Sequence, residues 1–424
     1  MNCLGQSVLT FLRKDVFNSV QFDVPISMGI FPIGGCPVMR EQTATLGKPS
    51  SGRIPELDGL RGMAILMVIL YHFISMSPVA PPNRLVHGLQ IAFQMGWAGV
   101  DLFFVLSGFL IGGILLEAKG SPRYFRTFYL RRIHRIFPIY YIWIVAYFLL
   151  AFTPLLHWVG PLGIAVDKLT IIPVYILFLE NTAWSRGPAF RTGWLSGLWS
   201  LAVEEQFYLI MPAVVRFLSR RALVISLFLA IFGAPAARIL VYKYIVPSHG
   251  AAPYILTPCR ADALAMGVLL AVIWREERWK TWLHSHVGWL YGILGLLLAG
   301  VLYLNFIGET QYGYTMTVWG YSCLDSFFAM LLLLALVVPR GFWASICRWP
   351  ILIELGGISY CVYIIHGAVY EFCHSLLSTP SSGISSIRAL VATVFAAAIT
   401  WVIAKLSWRY LEHPMIRRGH RLRY

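Results

Sequence analysis

Charge is what this chain has least of: Asp, Glu, Lys and Arg make up 12% of its 424 residues, where a soluble domain carries about 25%. That scarcity excludes an ordinary soluble enzyme. Cysteine is also sparse. Cys3, Cys36, Cys259, Cys323, Cys347, Cys361 and Cys373 lie at scattered spacings with no C-x-x-C pair, which argues against a zinc site, a redox dithiol or a disulfide framework. The first 50 residues lack the succession of a charged start, an apolar core and a small-residue cleavage site, so no signal peptide is expected. A nucleic-acid partner is not expected either. The formal charge is +15, but the Lys and Arg residues stand in short clusters between apolar runs, with no basic stripe through polar surface.

What the chain has in abundance is apolar length. Hydrophobic residues account for 58% of it. After a poorly structured leader over residues 1–52, they recur in segments long enough to cross a bilayer. Ten such segments are expected, at about residues 59–77, 94–116, 136–153, 198–217, 222–242, 260–274, 287–306, 316–338, 352–373 and 387–408. An eleventh stretch, Leu169 to Leu179, is short, contains Pro173 and ends at Glu180 and Asn181. If it does not cross and the N-terminus is cytoplasmic, 24 of the 34 basic residues fall on the cytoplasmic side, as the positive-inside rule requires. Counting it as a crossing would place Arg216, Arg220 and Arg221 outside. The expected fold is therefore all-α, a polytopic membrane helical bundle of ten transmembrane helices with both termini cytoplasmic. Its membrane domain covers residues 53–415, with a basic cytoplasmic tail over 416–424. The outer loop from 154 to 197 carries a re-entrant or interfacial piece, and loops of that length are often functional.

An ionisable side chain at membrane depth costs about 2.5–3.5 kcal/mol on insertion scales, so each one needs a partner, a water-filled cavity or a task. Arg61 and His72 on the first helix are eleven residues apart, three turns plus about 20°, so they share one face about 16 Å apart. They are either an interfacial arginine and an unrelated hydrogen-bonded histidine, or two ends of one site. The topology also puts His72, Asp101, Glu204, Glu205 and His366 at one outer level. Carboxylates there could orient imidazoles, and an imidazole beside acids is what general-base activation of a hydroxyl requires. A structural ion-pair network is the alternative.

On the cytoplasmic side, Arg123, Arg126, Arg131, Arg132 and Arg135 crowd ahead of the third helix. They are either a topology anchor or a dock for an anionic cofactor, because a guanidinium binds phosphate bidentately. Trp184, Trp194 and Trp199 either stack on sugar rings or form an interfacial belt. Gly108 and Gly112 read as a helix-packing pattern and not as a nucleotide loop, and Ser107 has no nucleophile-elbow context. No metal site is expected, since His284-Ser285-His286 has no further ligands at metal spacing.

Five motifs then arrive in order. The first is Ile54-Pro55-Glu56-Leu57-Asp58-Gly59-Leu60-Arg61-Gly62, followed by His72, and the second is Gly99-Val100-Asp101-Leu102-Phe103-Phe104-Val105-Leu106-Ser107-Gly108-Phe109-Leu110-Ile111. Next come Arg131-Arg132-Ile133-His134-Arg135-Ile136-Phe137-Pro138 and Leu198-Trp199-Ser200-Leu201-Ala202-Val203-Glu204-Glu205-Gln206-Phe207-Tyr208. The last is Ile358-Ser359-Tyr360-Cys361-Val362-Tyr363-Ile364-Ile365-His366. Over about residues 53 to 415 the chain thereby resembles the acyltransferase 3 family of integral membrane O-acyltransferases.

The resemblance implies transfer of an acyl group, commonly acetyl, from cytoplasmic acyl-CoA to a hydroxyl of a carbohydrate or glycolipid. The acceptor would be presented at the outer face of the bacterial cytoplasmic (inner) membrane. Acyl-CoA is then a donor substrate, with no permanently bound cofactor. The family's essential Arg and His carry over to Arg61 and His72, and its arginine pair to Arg132 and Arg135. On that footing the catalytic set is His72, Arg61, Asp101 and Glu204, with Asp101 or Glu204 orienting His72. Arg132, Arg135 and Arg131 bind the donor, and Glu205, His366 and Trp199 bind the acceptor. Some relatives add a C-terminal extracytoplasmic esterase-like domain. This sequence stops about a dozen residues after its last expected helix, so the membrane domain is expected to handle the acceptor itself. The competing class is a transporter or flippase of a carbohydrate or lipid-linked sugar, which shares this composition. No internal repeat with paired broken helices favours it.

Overall fold

A computed structural model describes residues 54–76, 83–151, 168–187, 193–244, 251–377, 379 and 383–424. The expected leader over 1–52 lies outside the described residues. Among those residues there are helices and no strands, and ten helices are long and apolar enough to cross a membrane. They are α1 (Pro55–Ser75), α2 (Arg84–Ala118), α3 (Tyr124–Leu150), α4 (Gly193–Phe217), α5 (Arg220–Tyr244), α6 (Thr257–Trp274), α7 (Val287–Phe306), α8 (Met316–Val337), α9 (Pro350–Leu376) and α10 (Ile387–His420).

Successive helices reverse direction, and ion pairs tie their basic ends together. Arg348, just before α9, binds Glu56 at the start of α1 at 2.8 Å. Arg220 at the start of α5 pairs with Glu276 after α6, and Arg275 pairs with Glu117 at the end of α2. Large apolar side chains on the outside, such as Phe232 of α5, Leu296 of α7 and Val394 of α10, have the exposure expected of surfaces that face lipid tails.

Two helix contacts are close enough to exclude any side chain. A Cβ at Gly108 would run into the backbone carbonyl of Leu264, and one at Gly267 into that of Val105, so α2 and α6 meet backbone to backbone. Gly59, Gly62 and Gly356 do the same for α1, α9 and the segment preceding α9. With no hydrophobic force between helices in lipid, such small-residue contacts gain association energy from van der Waals packing.

Two helices begin or end elsewhere than expected. α3 starts at Tyr124 rather than near residue 136, because arginine is a good helix former although it interrupts an apolar run. α10 passes through a π-helical stretch, Trp408–Glu412, and continues as helix His413–His420. The stretch from Lys168 forms a helix only to Ile176, about 14 Å at 1.5 Å per residue and too short for a bilayer of about 30 Å. Its end is fixed by α3, where the Tyr140 hydroxyl donates to the Tyr175 carbonyl at 2.8 Å and the Tyr141 hydroxyl to that of Ile176 at 3.0 Å. These bonds satisfy carbonyls that a short helix leaves open.

Candidate active site

Between α1, α2, α3, α4, α9 and the end of α10 lies a cavity of about 270 Å³. Its polar lining falls into zones along the membrane axis. Nearest the basic end are Arg61 of α1, Arg132 and Arg135 of α3, and His420. Further in are Ser107 of α2 and Glu204, Glu205 and Tyr208 of α4, and beyond them Ser200 and Tyr363. Phe103, Phe104, Leu110 and Ile111 supply apolar wall between these groups.

Periodicity explains much of this. Ser200, Glu204 and Tyr208 recur every fourth residue on α4 and so form one stripe. The Tyr208 hydroxyl donates to Glu204 Oε2 at 3.0 Å and lies 2.5 Å from the Ser107 hydroxyl. Since the single phenolic proton goes to Glu204, Ser107 is the donor to Tyr208. One turn outward, the Tyr363 hydroxyl donates to the Gly197 carbonyl at 3.0 Å and lies 2.5 Å from Ser200 Oγ.

Arg61 has a partner in its own first turns, Asp58, at 3.6 Å. Arg132 and Arg135 have no ion-pair partner among the described residues, and Nε of Arg132 is buried without a hydrogen bond. The Arg132 guanidinium lies 5.8 Å from the Phe128 ring centre and 6.0 Å from that of Tyr208. Two guanidiniums that share their cavity with Glu204 and Glu205 but form no salt bridge among the described residues are suited to an anionic ligand.

The two histidines stand one layer beyond the cavity. Tyr363 lies 6.0 Å from His366, and the His366 ring meets His72 edge-on at 4.9 Å between centroids. Nδ1 of His72 lies 2.8 Å from the Val68 carbonyl, and Nδ1 of His366 lies 2.8 Å from the Tyr363 carbonyl. A carbonyl only accepts, so Nδ1 carries the proton in each ring and Nε2 is the basic nitrogen of the neutral imidazole. His72 also sits in a π-helical stretch, Tyr71–Ser75, an irregularity frequent at functional positions.

The cavity thus brings together Arg61, Arg132, Arg135, Glu204 and Glu205, and His72 and His366 adjoin it as a pair. Three expected site residues are elsewhere. Asp101 does not orient His72, because it is fully buried in an ion pair with Arg260 of α6, whose guanidinium lies 4.1 Å from the centre of the Tyr321 ring. Depth along the membrane placed Asp101 level with His72, but its rotation about α2 turns it to the far side. Arg131 does not line the cavity; Nε of its guanidinium donates to the Leu422 carbonyl at 3.2 Å. Trp199 is 5% exposed and packs against Tyr254 at 4.5 Å and Phe104 at 6.2 Å, so its ring is part of the core. Glu204 lies in the cavity, but its hydrogen bond goes to Tyr208 and not to His72. Sequence reasoning passed over Tyr208, Ser200 and Tyr363, although all three lie within the quoted motifs. His420 follows the last apolar run, in a basic stretch that by itself marks no site.

The chain belongs to the acyltransferase 3 family, whose acyltransferase-domain profile matches residues 54–405. It is 31% identical over 389 residues to YrhL of Bacillus subtilis, whose name assigns it provisionally to peptidoglycan O-acetylation; the match covers 87% of this chain and 56% of that protein. It is 27% identical over 378 residues to the peptidoglycan O-acetyltransferase OatA of Listeria monocytogenes, covering 86% of this chain and 56% of that one. The chain therefore spans a little over half the length of these relatives. No solved structure gives a significant match.

Proposed function

We propose that the protein is a membrane O-acyltransferase that moves an acyl group, acetyl in the first instance, from acyl-CoA to a carbohydrate hydroxyl. The donor enters at the basic, cytoplasmic end, and the acceptor is met at the opposite face of the bacterial cytoplasmic membrane. The excess of Lys and Arg at one end supports this orientation. The names of the relatives favour a peptidoglycan glycan as acceptor.

The observation that carries the reading is the single cavity with unpaired arginines at one end and a histidine pair beyond the other. Its size is informative. At about 270 Å³ it falls just below the range of about 300–1,000 Å³ typical of pockets for drug-sized ligands. It suits a pantetheine arm with a short acyl group and leaves the nucleotide at the mouth. Arg132 and Arg135 then bind donor phosphate, while the arm runs the roughly 16 Å of helical rise between Arg61 and His72.

At the far end Nε2 of His72 takes the proton of the acceptor hydroxyl as its oxygen attacks the thioester carbon. The C–S bond breaks, the ester stays with the acceptor, and the thiolate departs toward the arginines. His72 returns the proton it took to the thiolate, and the Ser107–Tyr208–Glu204 chain lies along the thiolate's route. His72→Ala should lower acyl transfer by about 10²–10⁴-fold, the usual contribution of a general base, with unchanged binding of acetyl-CoA. The test follows CoA release by purified protein with glycan fragments as acceptor. Near-normal turnover in this variant would sink the assignment, and glycan translocation without CoA release would favour a carrier.

A further inference from the structure

The residues that follow the membrane part of α10 are not a loose appendage. Gly419 packs on α3, where a Cβ would meet the Cβ of His134 at 3.3 Å and the Cα of Arg131 at 3.6 Å, so the two backbones lie close together here. Three consecutive residues beyond it are held. The Arg131 guanidinium donates to the Leu422 carbonyl through two nitrogens, Thr127 Oγ1 donates to the Arg423 carbonyl at 3.0 Å, and the Arg131 guanidinium lies 4.7 Å from the centre of the Tyr424 ring. All the grips come from α3, the helix that carries Arg132 and Arg135. Their joint effect is to bring His420 into the lining of the cavity, at its exposed mouth beside Arg61, Arg132 and Arg135.

We infer that residues 413–424 form a strap that completes the donor site, with His420 as a third phosphate ligand beside Arg132 and Arg135, and with Arg131 as the residue that positions it. An imidazole supplies a directional N–H donor, and it lines the cavity with two guanidiniums that form no salt bridge among the described residues, one of them with a buried Nε that has no hydrogen bond. The strap explains why Arg131 and Arg132, neighbours in sequence, have different tasks. They are about 100° apart around α3, one turned to the strap and the other to the cavity. The ligand is a phosphate ester, and a donor nucleotide and an anionic lipid headgroup are its two sources. This inference rests on the donor reading above.

The test measures binding of acetyl-CoA and of S-acetylpantetheine, which has the same thioester and no phosphate, to the full chain in phosphatidylcholine nanodiscs. His420→Ala should weaken acetyl-CoA binding about tenfold and leave S-acetylpantetheine binding unchanged. His420→Arg should restore acetyl-CoA binding. Arg131→Gln, which frees the strap, should reproduce the His420→Ala effect, and thermal melting checks that each variant is folded. Equal loss for both donors, or no loss for either, overturns the strap. A loss seen only in nanodiscs that contain phosphatidylglycerol assigns the site to a lipid headgroup and also overturns it. If the wild type binds neither donor, the donor reading itself fails. If Arg132→Ala loses acetyl-CoA and His420→Ala does not, only the strap fails.

Discussion

The buried pair Asp101–Arg260 separates two accounts of Asp101, as a helper of His72 or as a structural partner. Both side chains have 0% exposure, so Asp101→Asn takes the ion-pair partner from a guanidinium in a membrane interior and leaves it only the weaker interaction with buried Asp325. Breaking such a pair from one side costs about 3–5 kcal/mol. Arg260 keeps the Tyr321 ring at 4.1 Å and those of Phe104 and Tyr254 at 5.8 Å, and cation–π contacts of this kind retain up to about 2 kcal/mol. The expected loss therefore lies at the low end, about 3 kcal/mol, or roughly two decades in the folding equilibrium. Replacing both partners, Asp101→Leu with Arg260→Met, removes the stranded charge and should be neutral or stabilising. Thermal unfolding in detergent, followed by tryptophan fluorescence, measures both effects, and CoA release per folded molecule measures activity. Asp101→Asn should melt early with turnover per folded molecule retained, and the double variant should recover the melting temperature and turn over normally. A double variant that melts like wild type but has no turnover would place Asp101 in the chemistry and refute the structural assignment.

Two further outcomes follow from packing. Trp199→Ala should cost about 3–5 kcal/mol, as for a large buried aromatic, whereas Trp199→Phe should preserve both folding and the acceptor KM. A selective rise in acceptor KM for Trp199→Phe would return this side chain to the substrate site. Gly267→Val should abolish recovery of monodisperse protein, since even the first carbon of the new side chain meets Phe109 N at 2.7 Å and Gly108 Cα at 2.8 Å. A well-behaved variant would show that α2 and α6 can separate.

The ten crossings were legible because bilayer thickness acts on apolar length alone, a property of single segments. The same criterion could not place the start of α3, where Tyr124 to Arg135 is helical but not apolar. Arg61, Arg132 and Arg135 were legible together from motif and depth, whereas Glu204 and Glu205, expected at the outer level with the histidines, line the same cavity as the arginines. Asp101, Arg131 and Trp199 were misplaced for one shared reason: sequence fixes how deep a residue lies, while rotation about the helix axis is set by neighbours. α6 claims Asp101 through Arg260, and the strap claims Arg131 through Leu422. His420 depends on a contact between residues nearly three hundred positions apart, Thr127 with Arg423. A basic stretch just past a hydropathic run was its only trace.

Helices that touch backbone to backbone through glycine have no side-chain layer to shear, so the α1–α9 and α2–α6 pairs behave as two rigid girders. Arg61, Tyr360, Tyr363 and both histidines belong to the first, and Ser107 to the second. On the proposed donor reading, the distance a thioester has to span is therefore built into the frame and does not depend on a moving part. A carrier that works by rocking one half against the other would need to break such girders, whereas a transferase needs only to let its donor in and out past a small door. In this molecule a door has to come from a part without a glycine seam, and the outer turns of α3 are such a part, whereas the strap is seamed to α3 at Gly419.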